Sequence, residues 1–359
     1  MMKKKSPVTA FAAILLMIIT ALPVSAASRA GSDNDILPMS VETASDDKTL
    51  YVGGIPFGVK LYSSELTVIG FSEVDAKDGK RDPAYDAGIR KNDKIVSVNS
   101  KEVTSVRDIV SACDESEGGE ITIECKRGKE TMSFTFRPAL SVSENKYRTG
   151  MWLKDSTAGI GTVTYIVPDT LGFAGLGHGI YSEATGELEK VDKGTILAVD
   201  LTGIVKGTEG TPGELEGSFL EDRTGTLIAN TEEGVFGFFS SLPEGIGDDD
   251  LTDLADEDDI REGEAFIRCT LPEAGLGDYK INIVNVDLDE ENNRNFIIEV
   301  TDEHLLSESG GIVQGMSGSP IIQDGRLIGA VTHVFISDPT KGYGISVMRM
   351  LEAMPGIIT

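Results

Sequence analysis

Eleven residues near the C-terminal end constrain this chain more than any others. Gly310-Gly311-Ile312-Val313-Gln314-Gly315-Met316-Ser317-Gly318-Ser319-Pro320 sets one serine in a glycine-bounded turn. Ile321-Ile322-Gln323 and Arg326-Leu327-Ile328-Gly329-Ala330-Val331-Thr332 follow as two strands joined at Asp324-Gly325. Asp-Gly is a strong two-residue hairpin connector, because both positions must tolerate positive φ. The segment therefore demands antiparallel β-structure around an exposed hydroxyl. The N–H groups of Gly315 and Ser317 would point into one pocket and could hold an oxyanion.

The rest of the chain is compatible with that demand. Its 359 residues are enough for two domains, its 41 glycines point to many turns, and 40% hydrophobic content suits a folded body. Acidic residues outnumber basic ones 59 to 32, a net charge of −27, which disfavours nucleic acid or an anionic membrane surface as partner. Part of the excess lies in acidic runs at 248–259 and 287–291. Neither has the glycine and terminal glutamate of an EF-hand loop, so both read as solvated loops. Cys113, Cys125 and Cys269 include no C-x-x-C pair and read as ordinary half-buried thiols. No metal or organic cofactor is expected.

At the other end, Lys3-Lys4-Lys5 precedes Phe11-Ala12-Ala13-Ile14-Leu15-Leu16-Met17-Ile18-Ile19, and Val24-Ser25-Ala26 supplies small residues for cleavage. Residues 1–27 read as an export signal or a retained membrane anchor, placing the body outside a membrane, free or tethered. Residues 28–49 are polar and read as a flexible linker. From 50 to 139 short strands surround one clear helix, which Ser105 caps over Val106, Ile109, Val110 and Cys113. Within this stretch, Pro83-Ala84-Tyr85-Asp86-Ala87-Gly88-Ile89-Arg90-Lys91-Asn92-Asp93-Lys94-Ile95-Val96-Ser97-Val98-Asn99 resembles a PDZ domain of the bacterial protease type. Asn92 stands for the turn glycine and tolerates the left-handed conformation. The resemblance implies peptide binding by strand addition, with Phe57, Gly58 and Val59 in the loop that receives a terminal carboxylate.

Residues 150–359 have the size of two small β-barrels, and helical signal is almost absent until Val347. A serine hydroxyl needs a neighbouring base, and histidine suits that role near neutral pH. Three are available. His178, in Gly175-Leu176-Gly177-His178-Gly179, fits by order, because two-barrel serine peptidases take the histidine from the first barrel and the serine from the second. His304 sits in a polar turn, and His333 reads better as a packed strand histidine. The orienting acid is open on sequence alone; Asp302 is one candidate among several.

The run from Thr301-Asp302 through Ser317-Gly318-Ser319-Pro320 to His333-Val334-Phe335, Asp338-Pro339-Thr340 and Gly342-Tyr343-Gly344 closely resembles the SpoIVB peptidase family. Further matches are Asp155-Ser156-Thr157-Ala158-Gly159-Ile160-Gly161-Thr162, Gly175-Leu176-Gly177-His178, Lys206-Gly207-Thr208 and Pro212-Gly213-Glu214. The resemblance implies a mainly β fold, a PDZ domain followed by a chymotrypsin-like double β-barrel serine peptidase domain. It implies Ser317 as nucleophile, His178 as general base and Asp302 as orienting acid. The family is a sporulation signalling one, acting in the space between forespore and mother cell. Its implied partners are a membrane-anchored regulator of an intramembrane protease and the chain's own N-terminal region, which it cuts by itself. Cleavage of that regulator leads to activation of a late mother-cell sigma factor. An HtrA-like quality-control protease is the alternative of the same class, although that group usually carries its PDZ domain after the protease. A non-catalytic PDZ adaptor is the alternative of another class, and the retained Ser317 and His178 argue against it.

Overall fold

The computed structural model describes residues 49–182, 186–191 and 193–356. The expected export segment and all of the expected linker except Thr49 lie outside them. Antiparallel strands dominate, as the turn-rich composition requires. The chain enters with β1 (Thr49–Val52) and the long β2 (Pro56–Phe71). A compact insert follows: α1 (Pro83–Ala87), β3 (Lys94–Val98), α2 (Val106–Glu115), β4 (Ile121–Arg127) and β5 (Glu130–Phe136). Then come β6 (Met151–Ile166), β7 (Gly172–Gly175), β8 (Lys193–Val205), β9 (Glu214–Thr231) and β10 (Gly234–Phe239).

Successive pairings β2–β6, β6–β7, β7–β10, β10–β9, β9–β8 and β8–β2 return to their starting strand, so these six strands form a ring. Phe57, Val59, Val163, Phe173, Ile196 and Val235 fill it. The second barrel is β11 (Gly263–Leu271), β12 (Gly275–Val286), β13 (Phe296–Val300), β14 (Pro320–Gln323), β15 (Arg326–Phe335) and β16 (Asp338–Ser346), closed in the order β11-β12-β13-β16-β15-β14. In β11, Ala265, Ile267, Cys269 and Leu271 alternate inward, the period of two that a strand with one buried face requires. Between the barrels, Tyr165, Ala174 and Phe236 of the first meet Leu327, Ala330 and Ile345 of the second. The C-terminal helix α4 (Val347–Ala353) covers this seam with Val347 and Met350.

The insert is the PDZ-like module, and it differs from expectation at its edges. Its core of Leu66, Val68, Ile89, Ile95, Ile109, Ile121 and Ile123 draws on β2 only from Leu66 onward. The earlier half of β2, residues 56–62, lies in the first barrel between β6 and β8. Likewise Met151–Lys154 of β6 pair with Phe71–Thr67 of β2 and belong with the module. Strands β2 and β6 thus run through both the first barrel and the module. Asn92 takes φ 72°, as the turn requires. Buried Asp93 then accepts two 2.7 Å bonds from the Arg127 guanidinium, tying that turn to β4.

Cys113, Cys125 and Cys269 are free and buried, and burial pushes each thiol up to about 12, which removes them as nucleophiles at neutral pH. In the acidic run at 248–259, Asp250 pairs with Arg268 and Asp259 with Arg326. Among the described residues no acidic or histidine cluster is placed to hold a metal ion, and no helix is long and apolar enough to cross a membrane.

Candidate active site

The glycine-bounded serine turn lies where the two barrels touch. The Asp324-Gly325 connector adopts φ 51° and 76°, the pair of positive values its hairpin needs, and sets β14 against β15. Ahead of it, Gly318 (φ 94°) closes on the first barrel so tightly that a Cβ there would stand 2.0 Å from the Thr162 carbonyl oxygen. Strand β6 holds the turn from that side. The Thr162 N–H donates to the Ser317 carbonyl at 2.9 Å, and the Thr162 hydroxyl donates to the Gly315 carbonyl at 2.8 Å. The Thr164 hydroxyl donates to the Gly318 carbonyl at 2.8 Å. Thr162 and Thr164 are buried, and sequence reasoning did not single them out. Their inward hydroxyls alternate with Val163 and Tyr165 on a strand covered on both faces, where polarity gives no local signal.

With its carbonyls held by β6, the turn leaves the N–H groups of Gly315 and Ser317 without an acceptor among the described residues. These are the two donors expected for an oxyanion. Thr162→Val is isosteric but strips the Gly315 carbonyl of its partner. We expect a loss of about 1–3 kcal/mol of stability in urea unfolding, and a fall in kcat of about tenfold to a hundredfold as the Gly315 peptide loosens.

Ser317 and His178 line one cleft of about 330 Å³, together with residues 157–160 of β6 and Tyr181. His178 stands in the loop after β7. Its Nδ1 lies 2.9 Å from the Gly179 carbonyl oxygen. A carbonyl can only accept, so Nδ1 carries the proton and Nε2 keeps its lone pair, the tautomer a general base needs. Asn230 steadies the same loop, accepting from Ile180 N–H and donating to the carbonyls of Ile180 and Glu189, each at 2.8 Å. The Ser317 hydroxyl donates to the Thr332 carbonyl at 2.7 Å. Proton transfer to His178 therefore requires rotation of that hydroxyl away from β15, a movement about one side-chain bond.

The remaining expected residues separate. His333 packs against His178, with ring centres 4.6 Å apart and the ring planes tilted by 33°. His304 lies in α3 (Glu303–Ser309) beside Tyr279. Asp302, expected as the orienting acid, is not brought to His178. It caps α3: one carboxylate oxygen accepts from Leu305 N–H at 3.0 Å and the other from Lys280 N–H at 3.3 Å. The signal for this was present, since an aspartate directly before Glu303-His304-Leu305-Leu306 reads as a helix N-cap.

Burial lowers the pKa of His178, opposed by the Gly179 hydrogen bond. For His333, which keeps an exposed edge, loss of solvent on the packed face, the adjacent His178 and the Arg294 guanidinium push the pKa down to about 4. The base works when neutral, so kcat/KM is expected to rise with pH through a value below the ordinary histidine pKa of 6.5. Stability carries the same sign. Below 6.5 the unfolded chain takes up the His333 proton first, and stability is expected to fall as pH drops toward about 4. Urea unfolding at neutral and acid pH checks this, with His333→Gln expected to flatten the acid loss.

Phe57, Gly58 and Val59, expected in a carboxylate-binding loop, are instead central residues of β2. Gly161, Ile160 and Gly159 pair with them on one side, and Leu197 and Ile196 meet Gly58 and Val59 on the other, while Phe57 and Val59 are buried. Their N–H groups are spent in the barrel. The groove of the PDZ-like module lies elsewhere, between Val106, Ile109 and Val110 of α2 and Met151 and Leu153 of β6, with a volume of about 250 Å³. The turn at its end contains Gly150 at φ 83°. A glycine just before the apolar Met151-Trp152-Leu153 was the sequence signal that could have found it.

A mainly β chain with a PDZ domain and a serine–histidine cleft between two barrels has the architecture of the two-barrel serine peptidase class. The family model described as "SpoIVB peptidase S55" matches residues 145–351, and a PDZ-domain model matches residues 79–127. The first span exceeds half the chain, and the chain belongs to the SpoIVB peptidase S55 family. No curated protein matches it. Among solved structures it is similar to the HtrA-type protease AlgW with a decapeptide, at 14% identity and TM-score 0.33, covering 59% of this chain and 56% of that one. It is also similar to an inactive mutant form of Rv3671c from M. tuberculosis H37Rv, at 12% identity and TM-score 0.29, covering 55% of this chain and 84% of that one. The chain thus spans little more than half the length of the AlgW protease.

Proposed function

We propose that this chain is a serine endopeptidase in which Ser317 attacks the scissile carbonyl and His178 Nε2 takes the hydroxyl proton. The N–H groups of Gly315 and Ser317 receive the oxyanion, and the protonated histidine then gives its proton to the leaving amine. The Gly179 carbonyl holds the imidazole in place, a role a carboxylate fills in the usual triad. The single observation that carries this reading is the shared cleft: nucleophile, base and two unspent N–H donors border the same space.

Within that class the reading is an exported signalling peptidase, free or tethered outside a membrane in the space between forespore and mother cell. Its substrates are a membrane-anchored protein and its own N-terminal region. The export-like segment at residues 1–27, the PDZ domain and membership of the SpoIVB peptidase S55 family support this reading. N-terminal sequencing of products tests it. Wild-type protein should yield new termini, including one within its own first fifty or so residues, and Ser317→Ala should yield none of them. Identical products from both proteins overturn the assignment of Ser317.

A further inference from the structure

One strand lines two cavities. Met151 and Leu153 of β6 border the groove beside α2, and Ala158 and Ile160 of the same strand border the catalytic cleft. Strand β2 pairs with one side of β6 at residues 151–154 and again at 156–162, with a register shift between Lys154 and Ser156. The other side is open, and the hydrogen bonds show which backbone groups face it. Thr162 donates its N–H to Ser317 and accepts from Leu176 N–H at 3.3 Å, so both of its groups point away from β2. Residues 156–162 pair with β2 without a register shift, and alternation turns the groups of Ile160 and Ala158 outward with those of Thr162. At the other end, the Gly150 carbonyl accepts from Ser72 N–H on the β2 side, which turns Met151 outward, its N–H donating to the Thr149 hydroxyl. Past a register shift, Val68 opposite Leu153 spends both backbone groups on Asn92 and Asp93, so Leu153 faces outward too. Among the described residues, Leu153, Ala158 and Ile160 have no backbone partner on this edge. The Asp155 carboxylate, between the two cavities, accepts from Val106 N–H at the start of α2 and fixes the helix beside the strand.

We propose that the open edge of β6 is a single substrate track, on which an extended polypeptide with a free C-terminus adds as a strand from the α2 groove to Ser317. The inference rests on the serine peptidase reading of the cleft. The occupant is an extended chain because what the edge offers is a row of unspent N–H and C=O groups, and strand addition is the interaction that satisfies them. Antiparallel addition, the slightly stronger mode, places the C-terminal end of the segment at Met151 and runs the upstream residues toward Ile160. Nine residues separate those positions, a span of about 30 Å. The scissile bond at Ser317 then falls about ten residues before the anchored C-terminus. The groove would act as a ruler as well as a docking site, and the shared strand explains why the module boundary cuts through β6.

Two measurements test the track. The first uses a randomised library of twenty-residue peptides with free C-termini, digested by the wild-type chain and read by mass spectrometry. Cuts should cluster about ten residues from the C-terminus, and amidating the C-terminus should disperse them. Cuts spread evenly along the free-carboxylate peptides overturn the proposal. The second is hydrogen exchange of Ser317→Ala with the same library. Amides in 151–155 and 157–161 should slow together by about fivefold or more. Protection confined to one stretch, or absent from both, also overturns it. Because this second experiment needs no turnover, it separates failure of the track from failure of the Ser317 assignment.

Discussion

His178→Ala is expected to lower kcat by about ten-thousandfold, and Ser317→Ala by a similar factor, while Asp302→Ala leaves the chemical step nearly unchanged. The reason is positional. His178 borders the cleft with Ser317, and its Nδ1 proton is fixed by the Gly179 carbonyl. Both carboxylate oxygens of Asp302 are engaged by backbone N–H groups, one from Leu305 in the first turn of α3 and the other from Lys280 in β12. Losing that cap should cost about 1 kcal/mol of stability, visible as a lower urea midpoint with an unaltered pH profile of kcat. The pH profile is the discriminating readout, since an orienting acid would set the histidine tautomer and its removal would shift the acid limb. Retained activity in His178→Ala, or a collapse of kcat in Asp302→Ala at full stability, would reverse the two assignments.

Gly318→Ala should be severely damaging for a single added methyl group. At φ 94° an alanine is strained before any contact is considered, by about 1–3 kcal/mol. The added Cβ would also stand 2.0 Å from the Thr162 carbonyl oxygen and 2.4 Å from the Leu176 nitrogen, both backbone atoms that cannot rotate aside. Relieving the overlap means pushing the nucleophile turn off β6 and breaking the threonine hydrogen bonds that set the oxyanion donors. The expected result is about 3 kcal/mol or more of lost stability together with loss of activity even in the folded fraction. Gly325→Ala is the control. Its φ of 76° is comparable, but a Cβ there meets nothing within 4 Å, so a loss of about 1 kcal/mol with normal activity is expected. Equal behaviour of the two variants would show that backbone strain, and not the contact with β6, governs the turn.

Local chemistry accounts for the parts of the molecule that were legible in advance. Asp324-Gly325 forces a tight hairpin, Asn92 accepts the left-handed turn, Ser105 begins α2, and the glycines flanking Ser317 leave its neighbouring N–H groups free. Each of these depends on residues within a few positions of one another. What failed, or was not seen, depends on partners far away in the chain. Phe57, Gly58 and Val59 carry a strand pattern that fits a loop-flanking strand or a barrel stave equally well. Only pairing with Gly159–Gly161 and Ile196–Leu197, a hundred residues or more further on, decides between them. Asp302 is the opposite case: the family resemblance implies an orienting acid, while the residues directly after it carry a local capping signal, and its carboxylate accepts from Leu305 N–H and Lys280 N–H.

The sequence by itself determined the family and the two loops that carry Ser317 and His178, because a glycine-bounded serine turn and a histidine-bearing glycine loop are short-range constructions written in consecutive residues. Only the tertiary structure decided which carbonyl accepts from His178, which threonines hold the turn around Ser317, and where the groove beside α2 lies. The physical reason is that a strand's sequence encodes which of its faces is apolar but not which edges find a partner. Strand β6 shows this plainly: closed by β2 along one edge and open along the other, it joins a groove to a serine 164 residues away from its last groove-lining side chain, Leu153.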